Sequence, residues 1–223
     1  MCPPSAFNQS DSATQPPQNV DVPPTRICQA AFALATSVLS PAILNHSIRV
    51  YKYAKILAER SKSEYFTNEA KHDLLFVACL FHDFGATDAY DGPQRFEIEG
   101  ADAAVSLLKE YKVDEKDAHE AWMAIALHTS PGIADRINEL CRLVRQAVLV
   151  DFHRNEDVLE DTSILRKAFE EVYPRLGIEK VLGDAVATQA VRNPRKAPPA
   201  SWANNLYKAY LAEPDWDGVN KGF

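Results

Sequence analysis

The run from Leu74 to Phe81 is the feature that most constrains this chain. Leu74, Leu75, Val77, Ala78, Leu80 and Phe81 make a helix apolar nearly all round, and such a helix belongs at the centre of a domain. The chain repeats the helical period on either side of it. Ile27, Ala30, Ala31, Leu34 and Leu39 fit an amphipathic helix that Ser40-Pro41 is expected to end. Asn45 reads as the N-cap of a second helix, striped by Ile48, Tyr51, Ile56 and Leu57 and reaching about Glu59. Thr67 is expected to cap the central helix, and Gly85 to close it in left-handed geometry. Asp91-Gly92-Pro93 marks a loop over 87–95. Helical pattern resumes over 96–111 and 114–128, then runs as one long helix over 134–152. Further helices are expected near 161–172, 178–191 and 201–212. No segment alternates with period two, so the predicted fold is all-α, a helical bundle.

The first 24 residues are rich in Pro, Ser, Gln and Asn. Such a segment buries too little apolar surface to offset its ordering entropy. They are expected to form a flexible tail, with one domain over 25–223 that includes a C-terminal helical arm. A net charge of -7 without basic runs argues against nucleic acid and anionic membranes as partners. No apolar run approaches the roughly 20 residues that span a bilayer, and the start lacks the pattern of a signal peptide. Cys2, Cys28, Cys79 and Cys141 are scattered, with no CxxC pair. That suggests reduced thiols in a cytoplasmic protein.

The chemistry starts at His82-Asp83, where the central helix ends. An ionised Asp is costly there without a positive neighbour, and the C-terminal end of a helix dipole disfavours it further. Asp151 stands similarly, after Ala147-Val148-Leu149-Val150. His46 opens the second helix and can face inward. One divalent metal ion would account for both acids and both histidines. Two imidazoles and two carboxylates suit Zn²⁺ first, with Fe²⁺ or Mn²⁺ acceptable.

The order His46, His82-Asp83, Asp151 resembles the signature of the HD superfamily. Asn45-His46-Ser47-Ile48-Arg49-Val50 is similar to the first motif of its fungal cyanamide hydratase branch. Cys79 to Asp83 with Thr87-Asp88 is similar to the second motif. Phe96-Glu97 with Gly100 is similar to the third, and Ala124-Ile125 with His128 to the fourth. Together these motifs span roughly residues 40 to 155. The resemblance implies an HD-domain bundle and a metal held by His46, His82, Asp83 and Asp151. It also implies a hydro-lyase activity that adds water across the nitrile of a small molecule such as cyanamide, with no cofactor beyond the metal.

A bound metal brings the pKa of its water to about 7, so hydroxide is available at neutral pH. The nitrile nitrogen then needs a proton. His128 is the expected donor, kept protonated by its place at a helix C-terminus. Glu97 is a further candidate acid, and Thr87 and Asp88 are candidates to orient the water or a ring. Each has a bland reading: dipole pairing for His128, first-turn stabilisation for Glu97, turn chemistry for Thr87 and Asp88. His72, His119 and His153 lie among charged residues and read as solvated. Trp202 or Trp216 in the C-terminal arm is a candidate cover for the pocket or a subunit contact, as in a homo-oligomer.

The competing reading is an HD-type phosphohydrolase acting on a nucleotide monophosphate or related ester. It would want an arginine cluster, and the motif segments offer Arg49 and little else. A third reading, a non-catalytic binding module, sits badly with a complete ligand set.

Overall fold

The computed structural model describes residues 21–223, and among them there are helices and no strands. Most of the expected tail lies outside the described residues. Its end, residues 21–24, lies on the bundle: Asp21 pairs with Lys55 at 3.0 Å, and the Pro23 carbonyl accepts from Gln29. No helix among the described residues is long and apolar enough to cross a membrane.

The helices are α1 (Arg26–Val38), α2 (Pro41–Arg60), the short α3 (Glu64–Thr67), α4 (Glu69–Phe81), α5 (Phe96–Glu110), α6 (Glu115–Leu127), the short α7 (Ala134–Ile137), α8 (Glu139–Asp151), α9 (Thr162–Val172), α10 (Ile178–Arg192) and α11 (Trp202–Ala212). The core sits where α2 and α6 meet α4 and α8. Every residue of α4 from Leu74 to Phe81 is buried, as the apolar run requires.

Ser40-Pro41 starts a helix rather than ending one. The Ser40 hydroxyl accepts from the Ile43 amide, and Pro41 fills the first turn. Proline suits that position because the amide it lacks would have no partner there anyway. Asn45 is therefore not a cap; its side-chain amide donates to the Pro174 carbonyl at 2.9 Å. His46 follows inside the helix and not at its mouth. The expected cap at Thr67 is also displaced: Asn68 caps α4, accepting from the Lys71 amide. The long helix expected over 134–152 breaks at Asn138, whose backbone is extended and whose side chain caps α8 through the Cys141 amide.

Gly85 does not have left-handed geometry; among the described glycines only Gly132 and Gly177 have positive φ. It is small for a different reason. A Cβ there would lie 2.0 Å from the Phe96 carbonyl oxygen. The start of α5 is thus laid directly on the turn (Phe84–Ala86) that follows His82-Asp83. Gln189 of α10 donates to the Gly85 carbonyl at 2.8 Å and closes the turn from the other side. Cys28, Cys79 and Cys141 are buried free thiols.

Candidate metal centre

His82 and His128 occupy matching places, each the C-cap of its helix, α4 and α6, with right-handed backbone. Each ring sets its Nδ1 2.7 Å from the carbonyl three residues back, Cys79 for His82 and Ile125 for His128. A carbonyl only accepts, so Nδ1 carries a proton, and Nε2 carries the lone pair whenever the ring is neutral. His46 reaches the same state from α2, with Nδ1 2.7 Å from Asp151 Oδ2. Three imidazole lone pairs thereby converge on Asp83. The distance from Oδ2 to His82 Nε2 is 3.2 Å and to His46 Nε2 3.5 Å; from Oδ1 to His128 Nε2 it is 3.7 Å.

His46 Nε2 and His82 Nε2 are 3.1 Å apart. All four residues are buried, and among the described residues neither Asp83 oxygen has a hydrogen-bond partner. A closed cluster of acceptors facing acceptors costs several kcal/mol unless something positive sits among them. The ligand atoms of His46, His82 and Asp83 lie within 4.8 Å of one another. Two nitrogens and a carboxylate oxygen fit a divalent transition ion, with room for a further ligand.

Charges follow the same geometry. Burial pushes the His46 ring down, against the pull of Asp151. Burial alone would lower His82 and raise Asp83, but each outweighs it for the other: His82 titrates higher than usual, and Asp83 stays below the usual carboxylate range. His128 is pushed down to about 4, first by burial and then by the His82 charge. This reverses the expectation that the helix dipole keeps His128 protonated, because desolvation of a closed ring outweighs a dipole worth ~0.3–2 kcal/mol.

The structure brings three of the four expected ligands together. Asp151 stands behind His46 instead. Arg49 donates to both its oxygens, Nε at 2.7 Å and Nη2 at 2.8 Å, and Arg175 Nη1 lies 3.8 Å away. Burial would raise the Asp151 carboxyl, but Arg49 and His46 hold it below the usual range. The sequence argument that Asp151 lacks a positive partner therefore fails, whereas among the described residues Asp83 meets histidine rings and no arginine or lysine. The available signal was spacing: Arg49 follows His46 by three residues, on one face of α2.

Glu97 is buried and held by Arg95 at 2.6 Å and by the Thr129 hydroxyl at 2.7 Å, next in sequence to His128. Thr87 and Asp88 fall elsewhere. The Thr87 hydroxyl donates to the Phe84 carbonyl, and the Asp88 side chain is 97% exposed, near Arg192. Their local turn governs them, as the bland reading allows. His119 and His153 are exposed, but His72 is half-buried, with the Tyr51 hydroxyl on its Nε2 at 2.7 Å. Trp216 is on the surface, whereas Trp202 joins the site. With Phe152 and Phe223 it walls a cavity of about 480 Å³ that Asp83 and His128 also line. Phe152 in turn rests on the His46 ring, centroids 4.6 Å apart.

The model of the HD domain family matches residues 43–151, a span that contains His46, His82, Asp83, His128 and Asp151. Two relatives from Saccharomyces cerevisiae, the cyanamide hydratases DDI2 and DDI3, are each 24% identical to this chain over 187 residues, covering 82% of it and 81% of the relative. Residues 43–151 thus match the HD domain family, and the chain around them is similar to the cyanamide hydratases across most of its length.

Proposed function

We propose that the protein is a metal-dependent hydratase that adds water to a nitrile such as that of cyanamide, giving a urea. The observation that carries the proposal is Asp83: a buried carboxylate that, among the described residues, meets no arginine or lysine and faces three imidazole Nε2 atoms at a cavity wall. His46, His82 and Asp83 would hold the ion, zinc first among those this set accepts. A divalent cation supplies Lewis acidity and makes water nucleophilic near neutral pH. Asp151, fixed by Arg49, orients His46 through Nδ1. His128 Nε2 meets no donor among the described residues, and burial keeps the ring unprotonated at neutral pH. It is suited to take a proton from the attacking water and pass it to the nitrile nitrogen as the carbon–oxygen bond forms. The sum is balanced: one water enters, its oxygen bonds carbon, and both its protons end on the product. Glu97 acts at one remove, fixing Thr129 beside His128.

Phosphoester hydrolysis has less support. Of the arginines at the cavity wall, Arg95 is held by Glu97, and Arg145 faces Asp135 at 3.4 Å. The two readings separate in one assay. Metal-loaded protein is incubated with cyanamide and, separately, with nucleotide monophosphates, and urea and phosphate are measured. Urea formation is expected; phosphate release without urea would replace this reading with the other.

A further inference from the structure

The cavity beside Asp83 and His128 is too large for cyanamide alone. Its volume of about 480 Å³ falls in the ~300–1,000 Å³ range of pockets that enclose drug-sized ligands. Cyanamide is one carbon between two nitrogens and would leave most of that space to water. The wall away from Asp83 is apolar and aromatic. Phe152 meets Phe223 edge-on at 4.8 Å between centroids, and Phe223 meets Trp202 edge-on at 5.5 Å. Val148 and Leu149 extend the same surface from α8. Flat apolar walls of this kind favour a flat apolar guest.

The charged groups in the wall do not call for a charged one. Arg95 and Arg145 face Glu97 and Asp135. Arg145 also donates to the His128 carbonyl at 2.9 Å, and Arg154, which is exposed, donates to the Phe223 carbonyl at 2.6 Å.

We infer that the substrate is a substituted cyanamide or nitrile carrying a neutral, flat apolar group about the size of a phenyl ring, seated between Phe152, Trp202 and Phe223. This rests on the hydratase reading for the reacting end, but the seat for the ring stands on the cavity. Burying a ring of that size is worth roughly tenfold or more in affinity.

The test uses the zinc-loaded full chain. Its kcat/KM is measured for cyanamide, phenylcyanamide and 4-carboxyphenylcyanamide, and the binding of urea and phenylurea is measured by calorimetry. Phenylcyanamide is expected to exceed cyanamide at least about tenfold, and phenylurea to bind at least about tenfold more tightly than urea. Trp202→Ala should shrink both ratios at least about fivefold. If nothing is hydrated while phenylurea still outbinds urea and Trp202→Ala weakens it, the hydratase reading falls and the ring seat stands. If cyanamide is hydrated while phenylurea binds no better than urea, the ring seat is wrong. A carboxylated compound at least tenfold better than phenylcyanamide would overturn the neutral guest.

Discussion

Arg49 and Asp151 form a fork-on-fork pair closed to water, two N–H groups on two carboxylate oxygens at 2.7 and 2.8 Å. The Asp151 oxygen that takes Arg49 Nη2 also takes His46 Nδ1 at 2.7 Å. That shared oxygen fixes the His46 tautomer and turns Nε2 toward Asp83. The guanidinium is what lets an ionised carboxylate stand behind a buried histidine at all.

Arg49→Met would therefore leave Asp151 charged and unpaired in the core. Removing one partner of a buried pair costs about 3–5 kcal/mol, and loss of a group that orients a ligand costs ~10–100-fold in metal affinity. Urea unfolding and a zinc titration read the two effects. Arg49→Lys should rescue little, since an ammonium cannot make the paired contact. A Met variant within 1 kcal/mol of the wild type would show that the pair does not hold the site.

Asp83 should report on the metal first. Its nearest nitrogen is His82 Nε2 at 3.2 Å, and in the metal-free fold each of the two groups holds the other charged. Asp83→Asn is expected to lose its equivalent of bound metal and, with the His82 partner gone, to unfold in chelator at a lower temperature than the wild type. Elemental analysis and calorimetry test this together, and a full equivalent of metal in the variant would sink the ligand assignment.

These contrasts mark what the sequence discloses. The central helix is legible because eight successive buried residues leave little choice of neighbour. Ser40-Pro41 is ambiguous, since a proline that ends one helix equally well starts the next; His46 is displaced into the helix interior as a result. Asp83 declares itself by sitting at a buried helix end with no arginine or lysine near it in the sequence. Asp151 gives the same local signal, but its cation, Arg49, lies 102 residues away in the chain. The ring wall is harder still to read. It joins α8 to α11 and to Phe223, and no periodicity within one segment reports a contact of that range.

Gly85 tests whether the turn itself aims His82 and Asp83. Gly85→Ala would press a methyl group against the Phe96 carbonyl, a backbone atom that cannot rotate away. Overpacking of this sort costs typically ~1–3 kcal/mol. Since α5 must shift from the turn that follows Asp83, zinc affinity should fall along with stability. Thermal unfolding with and without zinc separates them. A variant that loses stability but keeps full zinc affinity would mean the turn is packing alone.

His128 carries the last prediction, which joins stability to chemistry. In protein stripped of metal, its ring titrates near 4 in the fold against an ordinary 6.5. Between those values the unfolded chain takes up a proton that the fold refuses. Stability is thus fully present above pH 6.5 and declines as pH falls toward 4, by about 3 kcal/mol from this group. His46, also pushed down by burial, adds to the decline, while His82, raised by Asp83, opposes it. The comparison with His128→Gln isolates the one ring: the variant should be less sensitive to acid over that window in urea unfolding. Loaded with metal, His128→Gln should keep its ion and lose ~100- to 10,000-fold in kcat for hydration, the usual worth of a positioned proton-transfer group. A variant that hydrates cyanamide at nearly the wild-type rate would leave His128 as a buried cap of α6, and the proton would have to travel by Thr129 and Glu97.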